Sequence, residues 1–258
     1  MLFDWFRNHR RQKLLETPFA ESWLAALPTW VPVSVRLPEE VRRHWLDLVQ
    51  VFVAEKNWQG GGGLEINDEI RVTVAGYACL LILGLPHLLY ENVETIIVYP
   101  STVLAPVRPP GFFEQSLVPV PSEGRALLGE AHLRGPVILV WDAVCRGRHP
   151  QPGHNVVLHE FAHKLDMLDG RADGAPPLHD KSDYARYAEV CHKEFATLQH
   201  AAESGTRTFL DQYGATNEAE FFAVATEFFF EKPERMKKKH PELFEVLAHF
   251  YLVDPGNW

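Results

Sequence analysis

Asn155-Val156-Val157-Leu158-His159-Glu160-Phe161-Ala162-His163-Lys164-Leu165-Asp166 sets a His-Glu-x-x-His pattern inside an apolar, helix-forming run. At about 100° per residue, His159 and His163 fall one turn apart on one helical face, where two imidazoles can grip a single ion. Glu160 stands next to His159 around the helix, within reach of a water on that ion. The spacing predicts the metal helix of a zinc hydrolase of the metallopeptidase type. The helix has a legible start and stop. Asn155 can cap it, Val157, Leu158, Phe161, Ala162 and Leu165 form its buried stripe, and Gly170 can end it in a left-handed conformation.

Upstream, Gly135 to Ala143 (GPVILVWDA) and Glu91 to Tyr99 (ENVETIIVY) have the apolar, β-branched character of strands. Between them lies irregular chain carrying Pro100, Pro106, Pro109, Pro110, Pro119 and Pro121. It suggests a division into a mainly helical N-terminal part, residues 1–105, packed on a catalytic part, residues 106–258, unless the two form one integrated domain. Helices are expected over residues 1–17, from Pro38 to about Trp58, and from Asn67 to Leu85, where Pro86 stops the last. Gly60 to Gly63 lack a following Gly-Lys-Ser/Thr and a leading strand, so a loop between helices explains them better than a phosphate cradle.

Downstream, a polar loop over 171–181 leads to a helix from Ser182 to Ser204, then a short extended piece (TRTFLDQYG). Asn217 opens a helix rich in phenylalanine, NEAEFFAVATEFFFEK. The sum is an α+β fold, a small mixed sheet packed with helices.

A hydrolytic zinc site takes three protein ligands and keeps one position open. The third ligand must come from elsewhere, and the Asn217 helix offers Glu218, Glu220 and Glu227. Glu220 and Glu227 are seven apart and share a face, whereas Glu218 points elsewhere. A carboxylate on the inner side of so apolar a helix needs a partner. Two assignments for Glu220 stay open at this point: a metal ligand, or the second half of a capping box begun by Asn217. Glu227 is expected to matter chiefly for packing.

NVVLHEFAHKLDMLDG together with YGATNEAEFFAVATEFFF resembles the Mlc titration factor A family of bacterial zinc metallopeptidases, over most of the chain. The same two segments resemble the catalytic domain of anthrax lethal factor, a distant relative among the glutamate-zincins. The resemblance implies a zincin-like fold and one zinc ion held by His159, His163 and Glu220. It also implies Glu160 as the catalytic glutamate, and Tyr213 as the tyrosine beside the metal. Some family members carry a further upstream histidine that can approach the metal; the matching region here, Val118 to Ser122, has none. His132, His149 and His154 are better read as loop or surface residues.

The chemistry so implied is peptide hydrolysis by a zinc-bound water with Glu160 as base, an aminopeptidase on short peptides being one form of it. Tyr213 would donate a hydrogen bond to the developing oxyanion, unless it is an ordinary turn residue before Gly214. Asp166 could orient a ligand imidazole or be a solvated acid at the helix end. The strand at residues 135–141 is a candidate edge for an extended peptide.

The resemblance also implies an alternative, a regulatory protein that binds and titrates a transcriptional repressor, with the aromatic N-terminal segment as a candidate surface. A purely structural zinc site is disfavoured because Glu160 would then have no task. The formal charge of −9 over 258 residues argues against direct nucleic-acid binding. Cys79, Cys145 and Cys191 form neither a disulfide framework nor a Cys-x-x-Cys pair, which fits a reducing cytoplasm. The start, MLFDWFRNHRRQKLL, lacks the apolar run of a signal peptide, and Val72 to Leu85 is too short to span a bilayer.

Overall fold

Helix formation follows the apolar periodicity and the caps. In this computed structural model the described residues are 2–85, 90–101, 129–131, 135–148 and 154–258. The first half contains α1 (Leu2–Leu15), α2 (Glu21–Trp30), α3 (Glu39–Glu55), β1 (Asn57–Gly60), α4 (Asp68–Leu80) and β2 (Thr95–Tyr99). After it come β3 (Gly129–Ala131), β4 (Val137–Val140), α5 (Trp141–Gly147), α6 (Val156–Asp166) and α7 (Asp183–Glu203). The chain finishes with α8 (Glu218–Glu231), α9 (Pro233–Lys239) and α10 (Pro241–Tyr251). Helices predominate beside one small sheet, an α+β arrangement. Among the described residues no helix is long and apolar enough to cross a membrane. The three cysteines are all free.

The sheet runs in the order β1-β2-β4-β3. β1, β2 and β4 are parallel, with Asn57 opposite Thr95 and Ile96 opposite Val137, and β3 closes the sheet antiparallel to β4. Three expectations need correction here. β4 stops at Val140 because the apolar run continues into α5, a helix that starts at Trp141. β4 is also flanked on both sides, by β2 and β3, so it offers no edge to a peptide. The polar stretch before the glycines, expected as the end of a helix, is instead strand β1, held by its ladder to β2.

Two smaller differences follow from local geometry. α4 ends at Leu80, and residues 81–85 are turn and bend rather than more helix. The segment expected as extended after residue 205 leads into a 3-10 helix, Gln212–Ala215, whose start is capped by Asp211. The expected boundary at 105/106, Pro86, the segment Val118 to Ser122, and His132 and His149 lie outside the described residues.

α6 sits at the centre of the packing, against α8, α4, α5, β3 and β4. Its expected stripe of Val157, Leu158, Phe161, Ala162 and Leu165 is buried. Phe161 meets Tyr90 edge-on at 4.8 Å and Phe52 of α3 at 5.7 Å, so the N-terminal helices and the central helix share one aromatic cluster. Lys164 is fully buried on the same helix. Its ammonium donates to Gly135 O at 3.0 Å, and burial draws its pKa down to about 8. That bond ties α6 to the chain entering β4.

Candidate metal centre

Caps fix the two helices that carry the site. Asn155 Oδ1 accepts the Leu158 N–H at 3.2 Å to start α6, and Asn217 Oδ1 accepts the Glu220 N–H at 2.9 Å to start α8. Gly170, at φ 92°, ends the turn after α6 in the left-handed region. α6 and α8 pack face to face and bring residues sixty apart in sequence into contact.

Three ligand-type atoms converge there. His159 Nε2 lies 2.9 Å from Glu220 Oε2, His163 Nε2 lies 3.2 Å from His159 Nε2, and His163 Nε2 lies 3.5 Å from Glu220 Oε2. Ligands about 2.0–2.2 Å from a tetrahedral zinc stand about 3.3–3.6 Å apart, so this triangle is close to the size one such ion requires. Two imidazoles and one carboxylate suit a borderline metal of the zinc type. Among the described residues this is the group that could hold a metal ion.

The three side chains and Glu227 are electrostatically coupled. Burial opposes a charge on His159, but hydrogen bonds to Glu220 and Glu227 outweigh it and hold the ring's pKa up at about 10. Burial likewise works to raise the Glu220 pKa. The two imidazoles reverse that and hold the carboxyl well below its usual range. Without an ion between them, the carboxylates of Glu220 and Glu227 thus favour a proton on the His159 ring.

The site opens into a cleft of about 360 Å³ lined by His159, Glu160, His163, Met167, Ala172, Tyr213, Asn217, Glu218, Ala219 and Glu220. Glu160 lines it and is buried. Tyr213 is 42% exposed, with its ring centroid 6.0 Å from that of His159. It stands in the Gln212–Ala215 turn, where Asp211 Oδ1 accepts its backbone N–H at 2.8 Å. Gly214 lets that turn seat tightly, since a Cβ there would meet Leu198 and Val224 at 3.2 Å. His159, His163, Glu160, Glu220 and Tyr213 thus share one cleft. His154 does not join them; it is exposed and faces Asp211 at 3.9 Å.

Two residues behave differently from their sequence expectations. Glu227 does more than pack: its Oε1 lies 2.8 Å from His159 Nδ1, and its Oε2 accepts the Asn155 N–H at 2.7 Å. The available signal was its seven-residue spacing from Glu220 on an otherwise apolar helix face. Asp166 is fully buried, not a solvated helix end. It makes no hydrogen bond to His163; its Oδ2 accepts the Gly174 N–H at 3.0 Å, which fastens the loop after α6.

Residues 5–252 match the glucose-regulated metallo-peptidase M90 family, and the chain belongs to that family. A metallopeptidase family implies a bound metal. The chain is 35% identical over 256 residues to an uncharacterized protein of Synechocystis sp., covering 98% of this chain and 90% of that one. It is 29% identical over 240 residues to the Mlc titration factor A of Salmonella arizonae, covering 91% and 92% of the two chains. With the Mlc titration factor A of Cronobacter sakazakii it shares 28% over 235 residues, 90% and 86% of the two.

Proposed function

We propose that the chain is a zinc-dependent peptidase whose ion is held by His159, His163 and Glu220. The observation that carries this reading is the convergence of those three side chains in the cleft that also holds Glu160. A bound zinc supplies Lewis acidity toward the scissile carbonyl and makes a water acidic enough to react near neutral pH. The protein supplies the rest. Glu160, one residue from a ligand and buried in the cleft lining, takes the proton of the attacking water and returns it to the leaving amine. Tyr213, beside His159 and partly exposed, donates its phenolic hydrogen to the oxygen on which negative charge develops. Among the described residues β3 is the outer strand and packs against α6, and an extended substrate would pair along it. Among the described residues the lining carries acids but neither lysine nor arginine, which suits the positive end of a short peptide and so an aminopeptidase. A zincin-like fold of the glutamate-zincin type fits the pairing of a His-Glu-x-x-His helix with a glutamate helix.

The test is metal analysis of the purified chain followed by assay on a panel of chromogenic amino-acid and peptide substrates. One zinc per chain and hydrolysis that a chelator abolishes and zinc restores are expected. Chelator-insensitive hydrolysis, or zinc binding without any hydrolysis, contradicts the reading.

The relatives named Mlc titration factor A favour a second reading, binding and titration of a transcriptional repressor. The exposed Trp5 and Phe6 on α1, at 61% and 55%, are a candidate contact surface for it. Repressor binding that survives Glu160→Gln but fails on replacing Trp5 and Phe6 separates this role from the peptidase.

A further inference from the structure

We propose that Glu227 is a positioning residue that selects the metal-binding tautomer of His159 and locks it to the start of α6. The inference rests on His159 being a metal ligand, as proposed above. Glu227 is 3% exposed, deep in the α6–α8 interface, and both its oxygens are engaged. Oε1 meets His159 Nδ1 at 2.8 Å, and Oε2 accepts the Asn155 backbone N–H at 2.7 Å. Asn155 in turn caps α6 through the Leu158 N–H. One carboxylate therefore holds the ligand ring and the capping residue of the helix that carries it.

The chemistry of a carboxylate decides what this does. An ionised carboxylate only accepts, so the nitrogen facing it must carry a hydrogen. With the hydrogen at Nδ1, a neutral His159 presents its lone pair at Nε2, toward Glu220 and His163. A neutral amide of the same shape cannot serve both partners. If its oxygen faces His159, its NH₂ confronts the Asn155 N–H, donor against donor. If its NH₂ faces His159, Nδ1 must accept and the hydrogen moves to Nε2, the nitrogen the metal needs. Glu227→Gln is thus nearly isosteric and chemically wrong in either orientation.

The experiment measures zinc affinity of the full chain by competition with a chromophoric chelator, for the wild type, Glu227→Gln and His159→Gln. Nitrogen-15 NMR of the zinc-loaded wild type reads the His159 tautomer. Glu227→Gln is expected to weaken zinc binding by about 10–100-fold, and the wild-type ring to show a hydrogen-bonded, slowly exchanging Nδ1–H. A residue that merely joins two helices would lower thermal stability without zinc yet leave zinc affinity within about threefold of wild type. That result, with His159→Gln still impaired, overturns the inference alone. So does a rapidly exchanging Nδ1–H in the wild type, a readout that needs no variant to fold. Undiminished zinc affinity in His159→Gln overturns the ligand assignment beneath it.

Discussion

Asn217 and Glu220 divide the start of α8 between them: Asn217 Oδ1 accepts the Glu220 N–H at 2.9 Å, while the Glu220 carboxylate reaches His159 Nε2 at 2.9 Å. A full capping box would fold that carboxylate back onto the Asn217 N–H. Only half of it forms, and the free half joins the histidines. The cap therefore aims the carboxylate. Asn217→Ala is expected to cost about 1 kcal/mol of stability and to weaken metal binding, while Asn217→Asp keeps both. Thermal unfolding and zinc titration of the two variants check this; equal zinc affinity in Asn217→Ala would detach the cap from the site.

Glu160→Gln is expected to retain the fold and bind metal, and to lose hydrolysis by about 10²–10⁴-fold, the usual worth of a positioned proton acceptor. Metal content and kcat measured on the same preparation decide it. Undiminished turnover would remove Glu160 as the base.

Asp166 should leave a signature in the pH dependence of stability. Burial raises its pKa from 3.8 to about 6 against the opposing Gly174 N–H. The folded chain then holds this proton more tightly than the unfolded one. The contribution is complete below about pH 4 and is lost as pH rises through about 6. Asp166→Asn keeps an oxygen for the Gly174 N–H and removes the buried charge. Its unfolding midpoint should vary less than that of the wild type between about pH 4 and 6. Parallel curves for the two proteins would contradict the assignment.

Gly174 has φ +75°, and a Cβ there would lie 2.3 Å from Glu218 O. Its N–H is held by Asp166 and its carbonyl accepts the Tyr187 hydroxyl at 2.9 Å, so it cannot easily shift. Gly174→Ala is expected to destabilise the chain by more than about 1 kcal/mol and to disturb the cleft at the start of α8. Chemical denaturation reads the first effect, and zinc affinity the second.

What was legible in the sequence was local. The start and stripe of α6 follow from Asn155 and from Val157 to Leu165, and the structure has both; the helix itself stops at Asp166, and Gly170 closes the 3-10 turn after it. Glu220 was one of two outcomes until the position of α6 on α8 put its carboxylate at the histidines. The remainder depends on contacts far apart in sequence. β1 is built of Asn57, Trp58, Gln59 and Gly60, which have no strand-like alternation, and it is a strand because β2 lies beside it. The apolar run through residue 143 passes from β4 into α5 without a change of composition at Trp141, so periodicity could not divide it. Glu227 looked like a packing residue because nothing in its own helix names a partner; His159 and Asn155 come to it from 68 and 72 positions away.

The central claim is that one ion sits between His159, His163 and Glu220, and crystals of the zinc-loaded chain test it most directly. Anomalous scattering at the zinc edge should give a single strong peak about 2.0–2.2 Å from His159 Nε2, His163 Nε2 and a Glu220 oxygen. A peak held by other residues, or fully loaded zinc protein with no peak at this triangle, would contradict the account.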